Sequence, residues 1–185
     1  MRKIIAAGLI ACFALLNQSC RKNEISGSET AENSRKLKVN DTFIGVTTVP
    51  TGSYKIVTNM TVNVTNKALG IDFTSYNPGA LVKQLNYVQT NSKDWRITNL
   101  GNGYYSIINT LTGQGLTIGN TTEHSSVIQY PYGGPDNQQW KIEYQGAYGI
   151  YRIRAKQDLT KGLHVDPSST AHGATIKIQT YGSAN

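Results

Sequence analysis

Gly52-Ser53-Tyr54-Lys55-Ile56, Gly103-Tyr104-Tyr105-Ser106-Ile107 and Gly149-Ile150-Tyr151-Arg152-Ile153 are three copies of one pattern, G-x-Y-x-I. Each leads after a turn to a second short frame: Leu69-Gly70-Ile71, Leu116-Thr117-Ile118 or Leu163-His164-Val165. Then Gly79-Ala80, Ser125-Ser126 and Gly173-Ala174 each open another apolar stretch, and two units close on Asp94-Trp95-Arg96-Ile97 and Gln139-Trp140-Lys141-Ile142. The tryptophans stand 45 residues apart. Self-similarity at a fixed period marks a repeat architecture. Within each unit, apolar and polar residues alternate between Gly, Asn, Pro and Ser, the pattern of short strands and turns, and no long window carries a helical period.

Four strands per unit, three times over, must close on themselves. Three blades are too few for a propeller ring. A lone unit would expose an apolar face and bare strand edges, whereas three together cover both. The reading is an all-β chain, a β-trefoil of three repeats of about 45 residues at about 50–97, 98–142 and 143–185. The third runs Ile176-Lys177-Ile178-Gln179-Thr180-Tyr181-Gly182-Ser183-Ala184-Asn185 and stops where its Q-x-W strand should begin. Two expectations follow: the sequence is a truncated piece of a longer product, or Asp41–Thr48 folds into the vacancy.

The residues before the repeats read differently. Arg2 and Lys3 precede an apolar run, Ile4 to Leu16, of 13 residues. That length suits an export signal over 1–19 and is too short for a membrane-spanning helix. Leu16-Asn17-Gln18-Ser19-Cys20 resembles a bacterial lipobox, with Asn17 where Leu is usual. The resemblance implies cleavage before Cys20 and a lipid on its sulfur. Cys12 lies inside the signal, so the processed chain could form no internal disulfide in a compartment that permits them. Residues 20–42 hold almost no large apolar side chains and read as a flexible tether; the folded domain is expected at 43–185. The net charge of +7 is scattered, without the clustered stripe that nucleic-acid binding calls for.

Asn137-Gln138-Gln139-Trp140-Lys141-Ile142, with Tyr130-Pro131-Tyr132-Gly133-Gly134 before it, resembles the QxW motif of ricin B-type lectins, and the likeness extends over about 50–185. It implies a β-trefoil that binds glycans through shallow sites, up to one per repeat. In that family each working repeat supplies an Asp in the middle of an L-D-V strand, an aromatic in the next strand and an Asn before the QxW Gln. The Gln and Trp brace the fold, which makes Trp95 and Trp140 core residues. Here the Asp positions hold Gly70, Thr117 and His164, while Asp72 and Asp166 stand two residues later, on the same strand face. Repeat two offers Tyr130 as stacking platform, Asn137 as amide partner and Gln138 beside it. Repeat one offers Asp72 and Tyr87, but Ser92-Lys93 replaces its Asn-Gln pair. Repeat three offers His164, Asp166, Tyr181 and Asn185.

No other chemistry is indicated. His124, His164 and His172 lack metal-ligand spacing, no nucleophile elbow or phosphate loop occurs, and the acidic residues past Phe43 form no evident glycosidase pair. The expectation is therefore a non-enzymatic, cofactor-free carbohydrate binder. It would be exported and held at the cell envelope, on the outer membrane or cell surface, by a lipid on Cys20. The alternatives are a protein-interaction or structural trefoil with decayed sugar sites, and the binding module of a truncated carbohydrate-active enzyme.

Overall fold

The computed structural model describes residues 13–17, 48–58, 67–72, 75–87, 91–145, 150–165 and 171–181. Among them the strands are β1 (Phe13–Asn17), β2 (Gly52–Thr58), β3 (Lys67–Ile71), β4 (Val82–Asn86), β5 (Asp94–Asn99), β6 (Tyr105–Asn109), β7 (Gly115–Ile118), β8 (Val127–Tyr130), β9 (Trp140–Tyr144), β10 (Ile150–Ala155), β11 (Asp158–Val165) and β12 (Ala174–Thr180). Short 3-10 turns, Asn91–Lys93 and Asp136–Gln138, lead into β5 and β9. None of the described residues forms a helix long and apolar enough to cross a membrane.

Six strands close a barrel: β2 pairs with β5, β5 with β6, β6 with β9, β9 with β10, β10 with β1 and β1 with β2, all antiparallel. The other six form three hairpins, β3–β4, β7–β8 and β11–β12. Each hairpin is joined to the next by backbone pairing that includes one bond of the same kind in every case. Gly79 N–H donates to Gln129 O at 2.8 Å, His124 N–H to Ile178 O at 3.0 Å and Gly173 N–H to Gln84 O at 2.8 Å. All three donors are left-handed, with φ of 87°, 62° and 88°. Glycine adopts that conformation without penalty, and His124 does not.

The core gathers the same positions from each repeat: Ile56, Ile107 and Ile153 of the barrel, with Leu69, Leu116 and Leu163 of the hairpins, all at 0% exposure. Trp95 and Trp140 are also fully buried, and each satisfies its indole by donating to the hairpin behind it, Leu69 O and Leu116 O, both at 3.0 Å. A buried indole N–H without such a partner would be costly. The tyrosines of the G-x-Y-x-I frames meet at one barrel end. There Tyr54 donates to Pro50 O at 2.6 Å, and the Tyr105 hydroxyl accepts Val49 N–H at 3.1 Å.

The sixth barrel place, between β2 and β10, is the one the third repeat's Q-x-W strand should take. In the structure Phe13–Asn17 occupies it. The edges of β2 and β10 would otherwise carry unpaired amides beside the core, and this apolar run satisfies them. Of the other expected occupant, Asp41–Thr48, only Thr48 is among the described residues.

Candidate functional site

A face with two exposed tyrosines lies on the β7–β8 hairpin of repeat two and the loop that follows it. In that ladder Gly115 stands opposite Tyr130 and Thr117 opposite Ile128, so these residues share one side of the hairpin. The chain turns at Pro131 and brings Tyr132 back over the start of β7. A Cβ added at Gly115 would lie 3.1 Å from the Tyr132 ring, so the missing side chain makes room for it. Tyr130 is 51% exposed and Tyr132 38%. Asn137, the expected amide partner, is held at the other end of β7, where its Nδ2 donates to Ile118 O at 3.0 Å.

Gln138 plays the bracing part that the resemblance gives the QxW Gln. Its Oε1 accepts the N–H groups of Gly133 and Gly134 at 2.8 and 3.3 Å, and its Nε2 donates to Thr117 Oγ1 at 3.1 Å and Pro131 O at 2.9 Å. Its amide capacity is thereby used, and it is buried. As a candidate sugar contact Gln138 is corrected to a brace: it shapes the loop that carries Tyr132.

Register locates the equivalent residues in the other repeats. Ile71 pairs with Val82, Ile118 with Val127 and Val165 with Ile176; five residues past each partner come Tyr87, Tyr132 and Tyr181. Tyr132, absent from the sequence-derived candidates, is thus the counterpart of Tyr87 and Tyr181, while Tyr130 matches Leu85 and Gln179. The signal was legible as an apolar residue followed five positions later by Tyr. It was obscured because the repeat-two hairpin turn is two residues shorter than the others.

Repeats one and three present these tyrosines engaged by cations. Lys55 Nζ sits 3.3 Å from the Tyr87 ring centroid, and the Arg152 guanidinium 4.2 Å from that of Tyr181, contacts that attract electrostatically. The Tyr181 hydroxyl also donates to Leu163 O at 3.0 Å, and its ring fills the space of a side chain at Gly162. In repeat one Gly70 leaves room for Lys93, whose Cγ would lie 2.8 Å from an added Cβ. Burial of Lys93 lowers its pKa and burial of the adjacent Asp94 raises that carboxyl. His164, on β11, is half-buried and stands opposite Lys177.

The displaced-carboxylate idea fails in repeat one. Asp72 lies at the turn end of the β3–β4 hairpin, whereas Tyr87 lies past its open end, roughly 20 Å away along the backbone at about 3.3 Å per residue. Asp72 instead pairs with Lys83 at 3.3 Å. Asp166, Asn185 and Cys20 lie outside the described residues, as does the tether. Among the described residues no group of three or more His, Cys, Asp or Glu is placed to hold a metal.

A closed barrel capped by three hairpins in pseudo-threefold array defines the β-trefoil. The chain matches the ricin-type β-trefoil lectin domain-like family over residues 40–130 and 91–179 and belongs to it. Among solved structures, the designed three-fold symmetric protein ThreeFoil is 36% identical, with 64% of this chain and 84% of that chain covered and a TM-score of 0.60. An exo-β-1,3-galactanase from Clostridium thermocellum is 26% identical (64% of this chain, 26% of that one, TM-score 0.59). The Macrolepiota procera ricin B-like lectin, solved in complex with lactose, shares the fold at 14% identity (74% and 91%, TM-score 0.58). No curated protein is significantly similar to the chain.

Proposed function

We propose that the chain is a non-catalytic carbohydrate-binding protein of the bacterial cell envelope, and that repeat two carries its one open sugar site. The observation that carries this is the Tyr132 ring, exposed and seated over Gly115, which stands opposite the exposed Tyr130. A sugar presents an apolar ring face to an aromatic, and the two exposed tyrosines offer such a surface. Family membership supports the same reading. Cell-envelope residence rests on the leader and Cys20 of the sequence.

The test is a glycan array probed with the purified chain, beginning with lactose because the Macrolepiota lectin holds it. Tyr132→Ala is expected to abolish retention, while its melting temperature stays within a few degrees of wild type. An array on which wild type retains nothing, or Tyr132→Ala retains everything, rejects the site. For the anchor, wild type should take up labelled fatty acid and Cys20→Ala should not; equal soluble secretion of both rejects it.

A second reading has its own support. The cations on Tyr87 and Tyr181 are what sites turned over to structural use would show, so a trefoil serving protein contacts is the alternative that an empty glycan array would favour.

A further inference from the structure

We infer that the groove between β2 and β10 is a strand-accepting site whose occupant is the chain's own Phe13–Asn17, so that the segment read as an export leader also serves as the barrel's removable closing strand. Five consecutive residues of β1 are in register with β2, from Phe13 opposite Thr58 to Asn17 opposite Tyr54. On the other side Phe13 faces Tyr151 and Ala14 faces Ile150. The outer edges of the two flanking strands are already taken, β2 by β5 and β10 by β9, so the groove has room for one strand. It runs beside Ile56 and Tyr54, which are 0% and 4% exposed; vacating it would bring water to the core and leave two ladders unpaired.

The occupant is joined to the rest of the domain only through residues 18–47. A connection of that length spans a small domain easily at about 3.3 Å per residue. The strand is therefore held by its ladder and by the high local concentration that a covalent connection provides, in the manner of strand addition by an extended peptide. Processing before Cys20 would remove the strand with the leader, so the unprocessed and processed chains differ by one barrel strand. This inference stands apart from the sugar reading and is tested without glycan.

The experiment uses the full chain with a protease site inserted between Asn33 and Ser34. After cutting, the N-terminal fragment should stay bound through gel filtration, with the amides of Ile56, Val57 and Ile150 still exchanging slowly. A labelled peptide of residues 11–19 should exchange into the cut chain, and the same peptide with Leu15→Pro should not, since proline in a central strand removes a ladder donor. In the uncut chain Leu15→Pro should speed exchange at those amides at least tenfold and lower the melting temperature by several degrees, while Ser28→Pro changes neither. Loss of the fragment on cutting with exchange and melting unaltered would overturn the proposal. So would slow exchange in Leu15→Pro, whether residues 41–48 or a second copy had filled the groove; molecular mass distinguishes those two. Should Leu15→Pro fail to fold, the labelled-peptide exchange decides alone.

Discussion

His124 stands where repeats one and three have Gly79 and Gly173, at a φ of 62° that favours glycine. Its side chain is exposed, and its N–H makes the same inter-repeat bond as the two glycines. A non-glycine residue in the left-handed region costs on the order of 1–3 kcal/mol, against roughly 0.5–1 kcal/mol for the greater chain entropy of glycine. His124→Gly should therefore stabilise the domain by about 0.5–1 kcal/mol, raising the thermal midpoint by a few degrees. An unchanged or lower midpoint would show that the imidazole contributes a compensating contact. Trp140→Ala works the other way. It empties a core site and orphans Leu116 O, at a cost of about 3–5 kcal/mol, readable as loss of a cooperative transition in urea.

At the scale of elements, Glu123 pins the turn of repeat two to the β11–β12 hairpin. Its carboxylate accepts the Lys161 ammonium, Thr180 N–H at 2.8 Å and Thr180 Oγ1 at 2.7 Å. These bonds, that of Lys161 foremost, lower its pKa from the ordinary 4.5 to about 2. A carboxyl depressed on folding stabilises the native state above its unfolded pKa and loses that contribution as pH falls through the folded one. The pin should weaken between about pH 4.5 and 2. Because Glu123 is 38% exposed on its side chain, solvent screens the pair and the effect is modest. Thermal midpoints of wild type and Glu123→Gln should differ at pH 6 and converge near pH 2. A constant difference across that range would assign the loss to packing instead.

For the whole molecule, the proposed site, with one uncovered tyrosine platform among the described residues of the three hairpin faces, predicts a single sugar per chain. Titration calorimetry with a ligand found on the array should give a stoichiometry of one. Higher values would mean that Lys55 or Arg152 leaves its ring to admit sugar. Lys55→Ala should leave the repeat-two affinity unchanged, since Tyr87 belongs to another hairpin. Strong binding to polyvalent surfaces would then arise from many anchored copies, each with one site.

The periodic residues determined the architecture by themselves. Tyr54, Tyr105 and Tyr151, the Leu-x-Ile/Val frames and the two tryptophans recur because each repeat must bury the same face, and burial leaves a pattern in sequence that can be read without coordinates. The proposed sugar platform left no such pattern. Whether an aromatic is a platform depends on what covers it: Tyr132 lies bare over Gly115, while Tyr87 and Tyr181 meet Lys55 and Arg152, partners 32 and 29 residues away in the chain. Asp72 looked within reach of Tyr87 until the hairpin placed them at opposite ends. Gln138, whose bracing part the QxW resemblance already implied, spends its amide on four hydrogen bonds and has none left for a sugar. The strand that closes the barrel was equally hidden, because Phe13–Asn17 pairs with residues some forty and well over a hundred positions later. Local alternation tells that a segment can form a strand; which edges it meets is fixed by the tertiary ladder.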